Sequence, residues 1–168
     1  MGSVFKAEIF AEKAHGSVNH LYDGQPYKVH LKLAVEAANR FINLIPINSR
    51  DSVLSGVWLH DTMEDARLTY NDIKKEFGMI VAEYVYALTN EKGRTRAERA
   101  NDKYYSGIKA YNYATFIKLC DRIANISYSK QSGNRMFQMY KNEQPSFRSK
   151  LYDGRFDEMW DYIDELLK

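Results

Sequence analysis

The 168-residue sequence balances 24 Lys and Arg against 22 Asp and Glu, a formal net charge of +2, which excludes the strongly basic footprint of a nucleic-acid binder. Its length suits one domain able to bury about 70% of the surface its unfolded form exposes, and a single cysteine, Cys120, excludes an internal disulfide and fits a reducing compartment. Met1-Gly2-Ser3-Val4-Phe5-Lys6 has no basic region leading into an apolar core, and no stretch reaches the length of a membrane span, so a soluble cytoplasmic protein without a membrane partner is expected.

Phe5, Ile9 and Phe10 give residues 4–14 the spacing of an amphipathic helix. A loop from His15 to Pro26 follows, marked by Gly16, the pair Asp23-Gly24 and the proline, with room for a short extended piece. His15 and His20 in this loop read as surface or packing residues. A second helix is predicted over 27–44, ending before Pro46, with His30, Leu33, Ala34, Ala37, Phe41 and Leu44 on one stripe, so His30 points inward. Asp51 is placed to cap a third helix reaching Ala66. Thr69 and Asp72 form a capping box before a short helix ending at Phe77-Gly78. Ile80, Val81, Tyr84, Val85 and Leu88 face one side of the next helix, and Asn90-Glu91-Lys92-Gly93 interrupts it.

Residues 94–105 read as a charged helix with Arg96, Arg99 and Lys103 on one face, a solvated surface in the first instance and a phosphate-binding edge as the alternative. Apolar residues surround 113–126 almost completely, so it reads as a core helix. Asp121 in its middle needs a partner, and Asn125 lies one turn on. The mixed stretch 127–150 holds Lys130, Arg135, Lys141 and Arg148, a candidate rim for an anionic ligand. Phe156, Met159, Trp160, Ile163, Leu166 and Leu167 mark a closing helix for packing.

The chemistry concentrates at His60-Asp61-Thr62-Met63-Glu64-Asp65, which follows the apolar run Val53, Leu54, Val57, Trp58, Leu59. An imidazole buried beside carboxylates costs several kcal/mol unless a cation or hydrogen bonds compensate. His30, His60, Asp61 and Asp121 together offer two imidazoles and two carboxylates from three helices whose inner faces meet. Mixed nitrogen and oxygen donors suit manganese, iron or zinc better than calcium.

The order H…HD…D resembles the signature of the HD phosphohydrolase superfamily. His60-Asp61-Thr62-Met63-Glu64-Asp65 is similar to the HDxxED motif of RelA/SpoT-type alarmone hydrolases. Ile117-Lys118-Leu119-Cys120-Asp121-Arg122-Ile123-Ala124-Asn125 resembles their IKLADRxxN run, and Gly24-Gln25-Pro26-Tyr27-Lys28-Val29-His30 their GxPYxxH entry. The similarity covers about 14–140 and includes no synthetase region, as in the small hydrolase-only members. It implies an all-α HD-domain helical bundle in one domain, residues 1–168, with its motif core over about 14–140 and a packing helix over about 155–168. It also implies one Mn2+, or another divalent transition metal, on His30, His60, Asp61 and Asp121, and removal of the 3′-pyrophosphate from guanosine tetra- or pentaphosphate. Glu64 is placed as the base with Asp65 in support. Tyr22, Lys118, Asn125 and Arg135 are the candidate substrate contacts.

The departures fall on the substrate side. Leu21 and Tyr22 stand where the family usually carries Arg-Lys, Ser127 and Tyr128 where it carries Arg-Thr, and Ala66 where threonine is common. They leave room for two alternatives: an HD-domain phosphatase of nucleoside monophosphates or of a dinucleotide such as NADPH, and a nucleotide-binding module without turnover. In every case the expected partner is a small nucleotide and not a nucleic acid.

Overall fold

The computed structural model describes residues 2–168, and Met1 lies outside the described residues. The chain opens with α1 (Ser3–Ser17), a two-stranded hairpin of β1 (Leu21–Tyr22) and β2 (Gln25–Pro26), and α2 (Lys28–Arg40). After two 3-10 turns come α3 (Arg50–Leu59), α4 (Thr62–Asp65), α5 (Tyr70–Phe77) and α6 (Met79–Leu88). The remainder is α7 (Arg96–Arg99), α8 (Asp102–Lys109), α9 (Ala114–Ser132), α10 (Met136–Leu151) and α11 (Asp157–Leu166). Among the described residues no helix is long and apolar enough to cross a membrane.

Helix α9 is the axis. Its apolar residues point in every direction, and α2, α3, α6, α8, α10 and α11 all pack against it. Gly56 lets α3 approach closely, since a Cβ there would stand 2.7 Å from Ile117 Cδ1. A second cluster, with Ala7, Ala11, Leu31, Trp58, Leu59, Ile73 and Val81, joins α1 and α5 to the far side of α3 and α6. Helix α11 lays Met159, Trp160 and Ile163 on the core, and Lys130 and Arg148 tie it down at the Leu166 carbonyl and Asp164.

Local signals explain most boundaries. Thr69 and Asp72 form the expected reciprocal capping box, and Gly78 at φ +85° turns α5 into α6. Asp23 and Gly24 both have positive φ, as a two-residue hairpin turn requires.

Several expectations need correction. The buried face of α1 is Ala7, Ala11, Ala14 and His15, whereas Phe5 and Ile9 are exposed, because small side chains let α1 lie close on α3. Helix α2 stops at Arg40, and Leu44 belongs to a separate 3-10 turn. Ser49, not Asp51, precedes α3, and Asp51 sits in its first turn accepting from Ser3. The third helix does not continue to Ala66: it breaks at His60-Asp61. Residues 94–105 are two short helices with Asn101 capping the second, so Arg96, Arg99 and Lys103 do not share a face.

Candidate metal centre and anion cleft

The break after α3 is what builds the site. In a continuous helix successive side chains diverge by about 100°, but the turn at His60-Asp61 brings both onto one point. Thr62 Oγ1 donates to the Leu59 carbonyl at 2.6 Å, and Asp65 N to the Asp61 carbonyl at 2.9 Å, so the turn is held from both sides. His30 arrives from the first turn of α2 and Asp121 from the middle of α9.

These four residues converge. His30 Nε2 lies 3.3 Å from His60 Nε2, 3.3 Å from Asp121 Oδ1 and 3.6 Å from Asp61 Oδ2. His60 Nε2 lies 2.8 Å from Asp61 Oδ2 and 3.7 Å from Asp121 Oδ1. His30, His60 and Asp121 each place one donor atom within 4.8 Å of the others, and Asp61 joins them from the His60 side. Donors bound at about 2.1 Å around one ion stand about 3.0–3.4 Å apart when adjacent, close to the 3.3–3.7 Å among His30, His60 and Asp121, so these three fit a single metal ion with Asp61 at its edge beside His60. His60 Nδ1 donates to the Val57 carbonyl at 2.8 Å, so Nε2 is the nitrogen turned toward the other donors. Two imidazoles and two carboxylates facing one point require a positive charge there.

The electrostatics say the same. Burial opposes charge on His60, but Asp61 and Asp121 outweigh it and hold its proton well above the usual range. Burial likewise works against Asp61 and Asp121. The Asp61 carboxyl is nonetheless lowered by His60, and the Asp121 carboxyl by Lys118 first and then by the two imidazoles. Such strong affinity for a proton is affinity for a cation in general.

Surrounding groups orient the four donors. Tyr27 donates its hydroxyl to Asp61 Oδ2 at 2.5 Å, and its ring stacks on His20 at 3.8 Å and His15 at 4.5 Å. His15 and His20 meet at 2.9 Å between their Nδ1 atoms, so both belong to a stack behind Asp61. Asn125 donates to Asp121 Oδ1 at 2.6 Å and Lys118 to Oδ2 at 2.9 Å. Tyr22 donates to Asn125 Oδ1 at 3.0 Å, with its ring 4.9 Å from that of His30 and 4.8 Å from that of Tyr128. Tyr22 is thus committed to the hairpin's docking on α9.

Glu64 and Asp65 sit at the open edge of the group. Glu64 accepts from the Asn90 backbone at 3.2 Å and its side chain at 2.9 Å. Partial desolvation, then the charges of Asp61 and Glu64, push the Asp65 carboxyl up to about 6.

Beyond Asp121 a cleft of about 350 Å³ opens between α7, α8, α9 and α10. Lys118, Asn125 and Asp121 line its inner end, and Arg96, Arg99, Arg122 and Lys150 add cations along it. Of the predicted ligand contacts, Arg135 stands apart, exposed at the turn before α10 and not on the cleft wall. Lys130, Lys141 and Arg148 also do not line it; two of them hold α11 instead. Arg96 and Arg99 line the cleft, as the phosphate-binding edge among the sequence readings requires, whereas Arg122 and Lys150 were not singled out by the sequence. Arg122 carried a usable signal, a cation directly after Asp121 in the middle of the core helix.

An all-helical domain that joins a histidine from one helix, a histidine–aspartate pair from the next and an aspartate from its central helix has the arrangement of the HD-domain fold. No protein-family profile matches the chain. A solved structure described as "A metazoan ortholog of SpoT hydrolyzes ppGpp and plays a role in starvation responses" superposes with a TM-score of 0.74 at 21% identity, covering 99% of this chain and 94% of that one. In sequence the chain is similar to several curated proteins and spans less than half the length of the first two. It is 31% identical over 74 residues, 44% of its length, to guanosine-3′,5′-bis(diphosphate) 3′-pyrophosphohydrolase MESH1 of Danio rerio, spanning 41% of that protein. It is 29% identical over 124 residues, 72% of its length, to guanosine-3′,5′-bis(diphosphate) 3′-pyrophosphohydrolase of Aquifex aeolicus (strain VF5), spanning 17% of it. Against MESH1 of Xenopus tropicalis, identity is 26% over 120 residues, 65% of this chain and 67% of that protein.

Proposed function

We propose that the chain is a cytoplasmic, metal-dependent phosphohydrolase that removes the 3′-pyrophosphate from a guanosine bis(diphosphate) nucleotide. The observation that carries this reading is the junction of the His30, His60 and Asp121 group, with Asp61 beside it, and a cation-lined cleft, Asp121 belonging to both. The names of the Danio and Aquifex relatives support the substrate class.

His30, His60, Asp61 and Asp121 would hold the metal, for which the mixed donor set favours Mn2+. When bound, the metal supplies a Lewis acid for a phosphate oxygen and lowers the pKa of attacking water. Lys118, Arg96, Arg99, Arg122 and Lys150 neutralise and orient the substrate's phosphates along the cleft. Asp65 accepts the proton of the attacking water, and the proton then serves the departing 3′ oxygen as the bond between that oxygen and phosphorus breaks. This exchanges the roles expected of the acidic pair: Asp65, lifted to about 6, suits a base near neutral pH, whereas both Glu64 oxygens are engaged by Asn90. Glu64 then positions Asp65 and the loop after α6.

A phosphatase acting on a nucleoside monophosphate or NADPH is the second reading. It is favoured by the hairpin, where Leu21 and Tyr22 stand at the positions of an Arg-Lys pair and bring no cation to hold a guanine nucleotide. Incubation with manganese and each nucleotide, with products resolved by chromatography, separates the two. Pyrophosphate released from the alarmone supports the first reading, and orthophosphate from NADPH or a monophosphate with none from the alarmone overturns it.

A further inference from the structure

Five cations line the cleft, and most are already answered by carboxylates. Lys118 is held by Asp121 at 2.9 Å, and Lys150 reaches Asp102 on the exposed rim at 3.4 Å. Arg99 has no carboxylate partner among the described residues. Arg96 and Arg122 both converge on Glu143, with Arg96 Nε at 2.7 Å and Nη2 at 3.3 Å, and Arg122 Nη1 at 3.0 Å. Two guanidiniums forked onto one pair of oxygens is the arrangement that binds a phosphate group. Here a side chain of the protein takes that place.

The two arginines are not equivalent. Arg122 is 4% exposed, donates to the Tyr140 carbonyl at 2.9 Å and lies 4.7 Å and 4.6 Å from the ring centres of Tyr140 and Phe147. It cannot move without disturbing the core. The Arg96 side chain is 53% exposed, stands on the four-residue α7 and lies 5.8 Å from the Tyr140 ring centre, and among the described residues Glu143 is its only side-chain hydrogen-bond partner. Exchanging that carboxylate for another anion requires only a rotation of Arg96 on the rim, with Glu143 remaining bound to Arg122.

We propose that Glu143 is a resident counter-ion, displaced from Arg96 when a substrate phosphate enters, so that it sets how tightly the cleft holds anions. The proposal rests on the reading of this cleft as the phosphate site. Before substrate arrives, the Glu143 charge offsets the two arginines and folds Arg96 against the wall, which keeps α7 docked on α10. A substrate with too little charge to compete leaves Arg96 in place, so the exchange discriminates among nucleotides by the phosphate they carry. Glu143 is a specificity-determining residue under this proposal and takes no part in bond breaking.

The test is calorimetric titration of inorganic pyrophosphate into the purified protein, with manganese equal in syringe and cell. Glu143→Gln is expected to bind pyrophosphate about fivefold more tightly, the effect of removing one nearby like charge, with the gap closing as salt is raised. Arg96→Gln should bind about fivefold more weakly, and in the double variant the gain from Glu143→Gln should disappear. Unchanged or weaker binding by Glu143→Gln overturns the proposal, since Glu143 would then be a brace that presents Arg96. If Glu143→Gln does not fold, unchanged affinity in Arg96→Gln overturns it equally. Because pyrophosphate binding needs no turnover, the outcome is independent of whether the alarmone is hydrolysed.

Discussion

Replacing Tyr27 with Phe removes one oxygen from the site and almost nothing else. The ring keeps its stack on His20 and His15 and its edge contact with Tyr22 at 6.1 Å, so the apolar packing persists. What disappears is the 2.5 Å hydrogen bond to Asp61 Oδ2. A hydrogen bond to a charged group is worth about 1.5–3 kcal/mol, and losing a partner that orients a metal ligand typically costs about 10- to 100-fold in affinity, or about 1.4–2.7 kcal/mol. The two ranges agree, so Tyr27→Phe should weaken Mn2+ binding by that factor. Calorimetric titration with Mn2+ measures it directly, and urea unfolding without metal shows how much of the loss falls on the fold. Tyr22→Phe is the control, because its hydroxyl reaches Asn125 and not a ligand. Affinities within twofold of wild type in Tyr27→Phe would refute the claim that Asp61 is oriented from behind.

Asp121→Ala should abolish Mn2+ binding and turnover together, whereas Glu64→Ala should keep the metal and lose most of the rate; metal titration beside a product assay distinguishes them. Activity should rise with pH as Asp65 ionises, with a midpoint at about 6 in the free site and lower once a divalent cation is bound. Asp65→Asn should remove this limb from a plot of kcat/KM against pH. His15, fully buried, has its pKa lowered to about 4, first by burial. The unfolded chain therefore binds a proton there that the folded chain refuses, and stability falls by about 3 kcal/mol as pH drops from about 6.5 to 4. Urea unfolding at both pH values should show a smaller loss in His15→Gln than in wild type.

Much of this was written in local chemistry. The capping box at Thr69 and Asp72, the Asp23-Gly24 turn and the all-round apolar α9 need only neighbouring residues to specify them. The same holds for the pairing of Asp121 with Asn125 one turn away, and for the type and order of the four metal-seeking side chains. The all-α HD fold followed from those motifs and is the fold observed.

Other features depended on contacts between residues far apart in the chain. The break at His60-Asp61 is invisible in a helical pattern, yet it is what turns two adjacent side chains onto one point. For Arg96 and Arg99 a solvated face outweighs a phosphate-binding edge in the sequence, because nothing nearby reveals that α7 folds over α9 and α10. Sequence fixes which groups seek a cation or an anion, because ligand chemistry belongs to the side chain itself. Where those groups meet depends on how helices cross, and that was decided by side chains packing across separations of tens of residues, such as Ile117 against Gly56.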